Sequence, residues 1–248
     1  MKNSSIGTRG ESSLHRFLKY RYSARGKTEE EVDGFIADGI NQDGEIIEVQ
    51  TGSFGPLKKK MPVFAALGSV NIIHPIIISK YIETFDENGK RLYRRKSPRR
   101  GSEWDLFNNL LYAPELVLIP GLCIELVMVD VIEKRVRDGK GSWHRKGASI
   151  QDRELCAWHG CRKLKGPADF RVFIPFAKDE EFTTAQLAQK AGIDTGLALK
   201  TINVLKKISV IQKTGTKGRA WLYQLSGMSS SSRLFSAKRS VTARRSSK

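Results

Sequence analysis

The tetrapeptide Asn41-Gln42-Asp43-Gly44, set between two short apolar runs, is the feature that most constrains the fold. The runs are Phe35 to Ile40 and Glu45 to Thr51, and the turn chemistry between them predicts a hairpin, with Gly44 free to take a positive φ. A three-residue loop, Gln42-Asp43-Gly44, pairs Asn41 with Glu45, Asp38 with Glu48 and Ile36 with Gln50. Residues directly opposite share a face. One face then carries Ile36, Asp38, Ile40, Ile46, Glu48 and Gln50; the other carries Phe35, Ala37, Gly39, Ile47 and Val49. A two- or four-residue loop would send Asp38 and Glu48 to opposite sides. The three-residue loop is preferred because it separates acidic from apolar side chains.

Two facing carboxylates repel, and a hard divalent cation is the natural reason for placing them together. Mg²⁺ (or Mn²⁺) binds oxygen ligands and enters sites through one or two carboxylates plus phosphate oxygens. Asp38 and Glu48 are the candidate metal ligands, and Gln50 could orient a water or supply an amide oxygen. Glu11 to Arg21 reads as an amphipathic helix, with Leu14, Phe17 and Leu18 at helical spacing and Glu11 on the face of Leu14 and Leu18. Lys58, Lys59 and Lys60 open the next helix after a Gly-Pro turn, where a lysine could stabilise the charge of a developing phosphorane.

Glu11 on the first helix, Asp38 near the end of one strand and Glu48-Val49-Gln50 on the next resemble the PD-(D/E)XK nuclease superfamily. The stretches GESSLHRFLK, VDGFIADG, IIEVQTGSFGPLKKKM and RRKSPRRG also resemble a group of bacterial proteins that pair such a core with a C-terminal winged helix. The resemblance runs from residue 7 to residue 226. It implies an α/β fold, a restriction-endonuclease-like mixed β-sheet flanked by helices, and metal-assisted phosphodiester hydrolysis. The family pattern ends in Lys where this chain has Gln50; in some members that Lys has moved to a neighbouring helix, and Lys58 is then its replacement here. Further strands are expected at Ile72 to Phe85, Arg91 to Arg95 and Leu122 to Glu133, with a helix at Asp105 to Leu111.

The charge is uneven. The chain has 248 residues and a formal net charge of +17. Residues 1–181 are nearly balanced, whereas Phe182 to Ser226 holds seven basic residues against one acidic, and Gly227 to Lys248 holds six and none. This composition points to a polyanionic partner. Phe182 to Ser226 carries helix-turn-helix spacing: a helix capped by Thr184 and running to Ala191, a turn at Gly192, and a second helix from Asp194 or Thr195 to Ile208. Strands at Val210 to Lys213 and Ala220 to Leu225, joined by a basic Gly-rich loop, complete a pattern that resembles a winged helix-turn-helix domain. The resemblance implies DNA contacts from Thr195, Lys200, Thr201, Asn203 and Lys206 on the second helix, and from Lys213, Lys217 and Arg219 on the wing.

Lys90 to Arg100 holds seven basic residues in eleven, either a phosphate-contacting edge or a solvated hairpin that resists edge pairing. Cys156, His159 and Cys161 supply three soft ligands where structural zinc needs four, and on a helical reading of Ile150 to Leu164 they are small buried residues. His74, in an apolar run, reads as a satisfied core histidine. Three cysteines exclude a disulfide framework. The polar start, Met1 to Gly10, lacks a signal-peptide core, and Leu122 to Ile132 is too short for a membrane span. A cytoplasmic protein is expected.

The expected organisation is a nuclease-like core at 1–146, a helical connector at 147–181, a winged helix at 182–226 and a flexible basic Ser/Arg-rich tail at 227–248. The expected function is a Mg-dependent DNA endonuclease with catalytic Glu11, Asp38, Glu48, Gln50 and Lys58. Cutting both strands of a duplex would use two active sites, so a homodimer is admissible. The competing readings are a non-catalytic DNA-binding regulator with a degenerate core and a protein-interaction scaffold.

Overall fold

The computed structural model describes residues 11–24 and 27–227, so the expected tail beyond Gly227 lies outside the described residues. Ser13–Tyr22 form helix α1, whose cap residue Ser12 accepts from the His15 N–H at 3.3 Å. Strands β1 (Thr28–Val32), β2 (Phe35–Ile40) and β3 (Ile46–Val49) follow as an antiparallel meander. Helix α2 (Leu57–Leu67) then crosses over to β4 (Val70–Phe85), which runs parallel to β3. Strand β5 (Arg91–Lys96) folds back on the far half of β4. After a short helix α3 (Leu106–Leu110), β6 (Leu122–Val136) pairs parallel to β4 along its length, and β7 (Ser149–Leu164) pairs antiparallel to β6. The result is a seven-stranded mixed sheet in the order β1-β2-β3-β4-β6-β7, with β5 beside β4, flanked by helices.

The β2–β3 turn takes the register expected for a three-residue loop. Gly39 faces Ile47 and Ile40 faces Ile46. Gly44 has φ +79°, and the Asn41 side-chain oxygen accepts the N–H groups of Asp43 and Glu45 at 3.0 and 2.8 Å. Alternation along β3 and β4 then sends residues to two cores. Leu14 and Leu18 of α1 pack on Ile47, Val49, Ile73 and Val127 on one face. Burying each such leucine contributes about 2 kcal/mol. Ile46, Ile72, Ile76 and Ile124 face α2 and α3 on the other, with Met61 and Phe64.

The chain ends in helices α4 (Thr184–Ala191) and α5 (Thr195–Lys207) and the hairpin β8 (Ile211–Lys217) and β9 (Ala220–Leu225). Leu187, Ala198, Ile202 and Leu205 join the same apolar core as α2 and α3. Lys200 Nζ donates to Asn108 Oδ1 of α3 at 2.7 Å. Among the described residues, no helix is long and apolar enough to cross a membrane.

Four expectations are corrected. The segment at 147–181 is not a helical connector, because residues 149–164 form β7 and extend the sheet past the expected boundary at 146. Its apolar positions follow no helical stripe, and pairing with a long neighbour decided the conformation. Cys156 and Cys161 are accordingly exposed on that strand, not buried. The β8–β9 connection is not a long loop: pairing runs to Lys217 and Ala220, leaving the tight turn Gly218-Arg219 with Gly218 at φ +61°. Thr183, not Thr184, caps α4 and shares a reciprocal capping arrangement with Gln186. Strand β1 (TEEEV) had no alternating apolar signal, since it is a charged edge strand.

Candidate active site

The β2–β3 ladder opens where its acids lie. Gly39 and Ile47 are the last paired residues before the divergence. At Val49, where the next ladder bond would form, the N–H donates instead to Asp38 Oδ2 at 2.7 Å. A carboxylate that replaces a backbone acceptor is held in one orientation at a fork between two strands. Helix α1 packs over this fork and contributes His15 and Lys19. His15 Nε2 is 3.5 Å from Asp38 Oδ2 and 3.8 Å from Glu11 Oε1. Lys19 Nζ lies 3.1 Å from Glu11, 3.1 Å from Glu29 and 3.4 Å from Asp38.

Glu11 precedes the cap and is not on the helix, contrary to the sequence reading. It still reaches the site, because Glu11, His15 and Lys19 are spaced four apart and α1 presents its next two turns on that side. One carboxylate oxygen each from Glu11 and Asp38 and a ring nitrogen of His15 lie within 4.8 Å of one another. Among the described residues, His15 Nε2 is a buried nitrogen with no hydrogen-bond partner. Two carboxylate oxygens and an unpartnered imidazole nitrogen form a donor set that suits a divalent cation.

Glu48 stands on the α2 side of the same fork, 6% exposed. Lys60 Nζ meets Glu48 Oε2 at 2.6 Å. Burial pushes the Glu48 carboxyl up, the Asp38 charge pushes it further, and Lys60 only partly offsets them, leaving it at about 7. Burial also raises Asp38, but the nearby His15 ring, the bond from the Val49 N–H and the Lys19 ammonium outweigh it and hold Asp38 below the usual range. The fork therefore carries one carboxylate kept ionised and one poised near neutrality. Pairs whose surroundings drive them apart in this way are a frequent mark of acid–base chemistry.

Lys58 is not the lysine of this site. It pairs with Glu115 on the surface at 3.0 Å. Residues two apart on a helix point about 200° apart, and the buried stripe of α2 is Leu57, Met61 and Phe64. Lys60, three after Leu57 and four before Phe64, flanks that stripe, whereas Lys58 faces away. The stripe was legible in the sequence and would have singled out Lys60. Gln50 turns its amide toward the Ser53 carbonyl. Its own carbonyl bonds Nδ1 of His74, whose Nε2 faces Asn109 Nδ2 at 3.3 Å. His74 is thus a satisfied core histidine, and burial holds it neutral with a pKa pushed down to about 4.

In the C-terminal region, Thr195, Lys206, Lys213, Lys217 and Arg219 are exposed, and Asn203 and Lys200 are half-buried. Lys213 stacks on the ring of Trp221. Thr201 is fully buried and donates its hydroxyl to the Leu197 carbonyl at 3.0 Å, so it is a packing residue and not a surface contact. Along Lys90 to Arg100, β5 is exposed throughout, with Arg91 and Arg94 near Glu83 at 3.5 and 3.7 Å.

No solved structure matches the chain. A relative from Treponema pallidum (strain Nichols), named only as an uncharacterized protein, is 28% identical over 222 residues, 89% of this chain and 87% of its own. The family model described as Domain of unknown function (DUF8091) matches residues 12–165, a stretch that takes in His15, Asp38, Glu48 and Lys60 and ends just after β7. The match covers more than half of the chain, which therefore belongs to the DUF8091 family.

Proposed function

We propose that this protein is a metal-dependent DNA endonuclease with a PD-(D/E)XK-like core and a C-terminal winged helix-turn-helix that holds the duplex. The observation that carries the reading is the convergence of Glu11, His15 and Asp38 on the α1 side of the fork between β2 and β3, with the Glu48–Lys60 pair on its α2 side. Glu11, Asp38 and Glu48, with His15, would hold Mg²⁺ or Mn²⁺. When bound, the ion would polarise the scissile phosphate and lower the pKa of an attacking water. Lys60 takes the part expected of the family lysine: its ammonium sits against Glu48, where it can neutralise charge developing on phosphate oxygens. The exposed Lys206, Lys217 and Arg219 would contact phosphates. The test is incubation of supercoiled plasmid with Mg²⁺ or Mn²⁺, comparing wild type with Asp38→Ala and Glu48→Ala. Nicking by wild type that both variants lose supports the reading; a wild type that cuts no form of DNA overturns it.

A second reading, a non-catalytic DNA-binding regulator with a degenerate core, draws on Lys19. Its ammonium already lies among Glu11, Glu29 and Asp38, and burial, which would lower its pKa, is outweighed by those acids. A tethered cation in that place can substitute structurally for a metal. DNA binding that weakens with salt, without cleavage in any divalent ion, would favour it.

A further inference from the structure

We infer that a notch in the sheet edge, between the end of β3 and the end of β5, seats a phosphate of the polynucleotide strand on which the carboxylate fork acts; this rests on the nuclease reading above. The notch arises from unequal strand lengths. β3 stops pairing with β4 at Val49 and Ile73, and pairing with β5 begins only at Tyr81, opposite Lys96, the last residue of β5. From His74 to Lys80 the β4 edge has no strand beside it on this side. The segment after β5 crosses the gap instead. The Ser97 N–H donates to the Lys80 carbonyl at 2.9 Å, and the Gly101 N–H to that of Ile78 at 3.0 Å. Gly101 is needed for so close an approach, since a Cβ there would lie 2.2 Å from the Ile77 carbonyl oxygen. Between this strap and Thr51 lies a cavity of about 400 Å³ whose polar walls include Lys80, Arg99, Asn108 and Arg153.

The charge of the notch is positive and held in place. Glu133, 0% exposed, accepts from Lys80, Arg135 and Arg153, the first and last at 3.0 Å. The cavity itself is lined by Lys80, Arg99 and Arg153 against one carboxylate, Asp105. Each guanidinium retains donors for a further acceptor. Arg99, on the other wall, bonds Asp105 at 3.0 Å but is 73% exposed. The guanidinium and ammonium donors of Arg99, Arg153 and Lys80 suit phosphate oxygens.

The notch adjoins the fork. Thr51 is three residues beyond Glu48, a span of at most about 11 Å, or about three nucleotide steps at ~3.4 Å of rise per strand. Arg99 and Asn108 also border a second cavity, of about 410 Å³, that reaches Lys200 and the start of α5. A strand leaving the fork can therefore seat a phosphate in the notch and continue toward α5.

The test is binding of a short fluorescein-labelled oligothymidylate by the full chain in EDTA, where hydrolysis is off, alongside plasmid nicking in Mg²⁺. Arg99→Glu, at an exposed position, is compared with Lys146→Glu, an equal charge change at a residue that lines neither cavity. Thr51→Trp, which fills the cavity without changing charge, is the second variant. The expected result is roughly tenfold weaker binding for Arg99→Glu and Thr51→Trp, with a salt slope smaller by about one for Arg99→Glu, and little change for Lys146→Glu. Arg99→Glu no weaker than Lys146→Glu, or Thr51→Trp binding like wild type, overturns the notch. If wild type nicks DNA but the notch variants bind normally, the notch falls and the nuclease reading stands. If no nicking occurs but the notch variants lose binding, the nuclease reading falls and the notch remains a phosphate site.

Discussion

Lys60 Nζ and Glu48 Oε2 meet at 2.6 Å across the space between α2 and β3, with both side chains largely buried. This pair lets a carboxylate remain inside the fold beside a second one. Lys60→Met should lower Mg²⁺-dependent nicking by about 10²- to 10³-fold, while Lys58→Ala, which only loses a surface contact with Glu115, should nick like wild type. The variant should also show where the charge resides. The Glu48 carboxyl is raised from 4.5 to about 7, so its contribution to stability is present below about 4.5 and lost as pH rises through about 7. Without Lys60 that loss deepens. The melting-temperature gap between wild type and Lys60→Met should widen from about pH 5 to about pH 8, and a constant gap would count against the pairing as the cause.

Asp38 is at once a backbone acceptor and a proposed ligand, and two substitutions separate these roles. Asp38→Asn keeps an oxygen for the Val49 N–H and removes the charge; Asp38→Ala removes both. Leaving the Val49 N–H without its partner costs about 1–3 kcal/mol. Both variants should lose nicking, but chemical denaturation should show a stability loss of that size for Asp38→Ala and a smaller one for Asp38→Asn. Equal stabilities would mean that the carboxylate does not hold the fork open.

The part of this site that the sequence made readable is the part encoded locally. The β2–β3 register follows from a loop whose Gly44 and Asn41 act within a few residues, but the shared face expected for Asp38 and Glu48 is not formed: pairing ends at Gly39 and Ile47, Asp38 turns to His15 and Lys19 of α1, and Glu48 turns to Lys60 of α2. The role of Lys60 needed only the helical stripe of α2. The strand β7 was not readable, because nothing in residues 149–164 alternates cleanly; it is a strand because β6 offers a full-length edge. The opening of the ladder at Val49 was also hidden, since hairpin pairing rules continue a register and do not say where a side chain displaces a backbone acceptor. The notch lies further still from local sequence, as it depends on β3 ending long before β4 does.

His74 predicts a pH dependence of the whole fold. It is fully buried, gives its Nδ1 proton to the Gln50 carbonyl and is held neutral, with a pKa lowered from 6.5 to about 4 chiefly by burial. A lowered histidine pKa means that the unfolded chain binds the extra proton first. The stability is present above about 6.5 and lost as pH falls toward about 4, by on the order of 3 kcal/mol over the window. His74→Gln, neutral throughout, should be less stable than wild type near neutrality yet show a shallower decline across this window. Parallel curves would assign the acid sensitivity to other groups.

Thr201 and Arg219 separate packing from nucleic-acid contact in the C-terminal region. Thr201 is fully buried, with its hydroxyl on the Leu197 carbonyl, so Thr201→Val should leave DNA affinity unchanged and alter stability by about 1 kcal/mol, the worth of one hydrogen bond. Lys217, the last residue of β8, and Arg219, in the tight β8–β9 turn, are exposed. Replacing each by Ala should leave melting unchanged and reduce the salt slope of duplex binding by about one per residue, since each neutralises one phosphate. Lys213 lies over the Trp221 ring, and Lys213→Ala should perturb that stack as well as the charge, so its effect on binding should be accompanied by a change in tryptophan fluorescence. If Lys217→Ala and Arg219→Ala together leave both affinity and salt slope untouched, the hairpin does not contact the duplex, and the positive charge of this region has to be explained by something other than DNA.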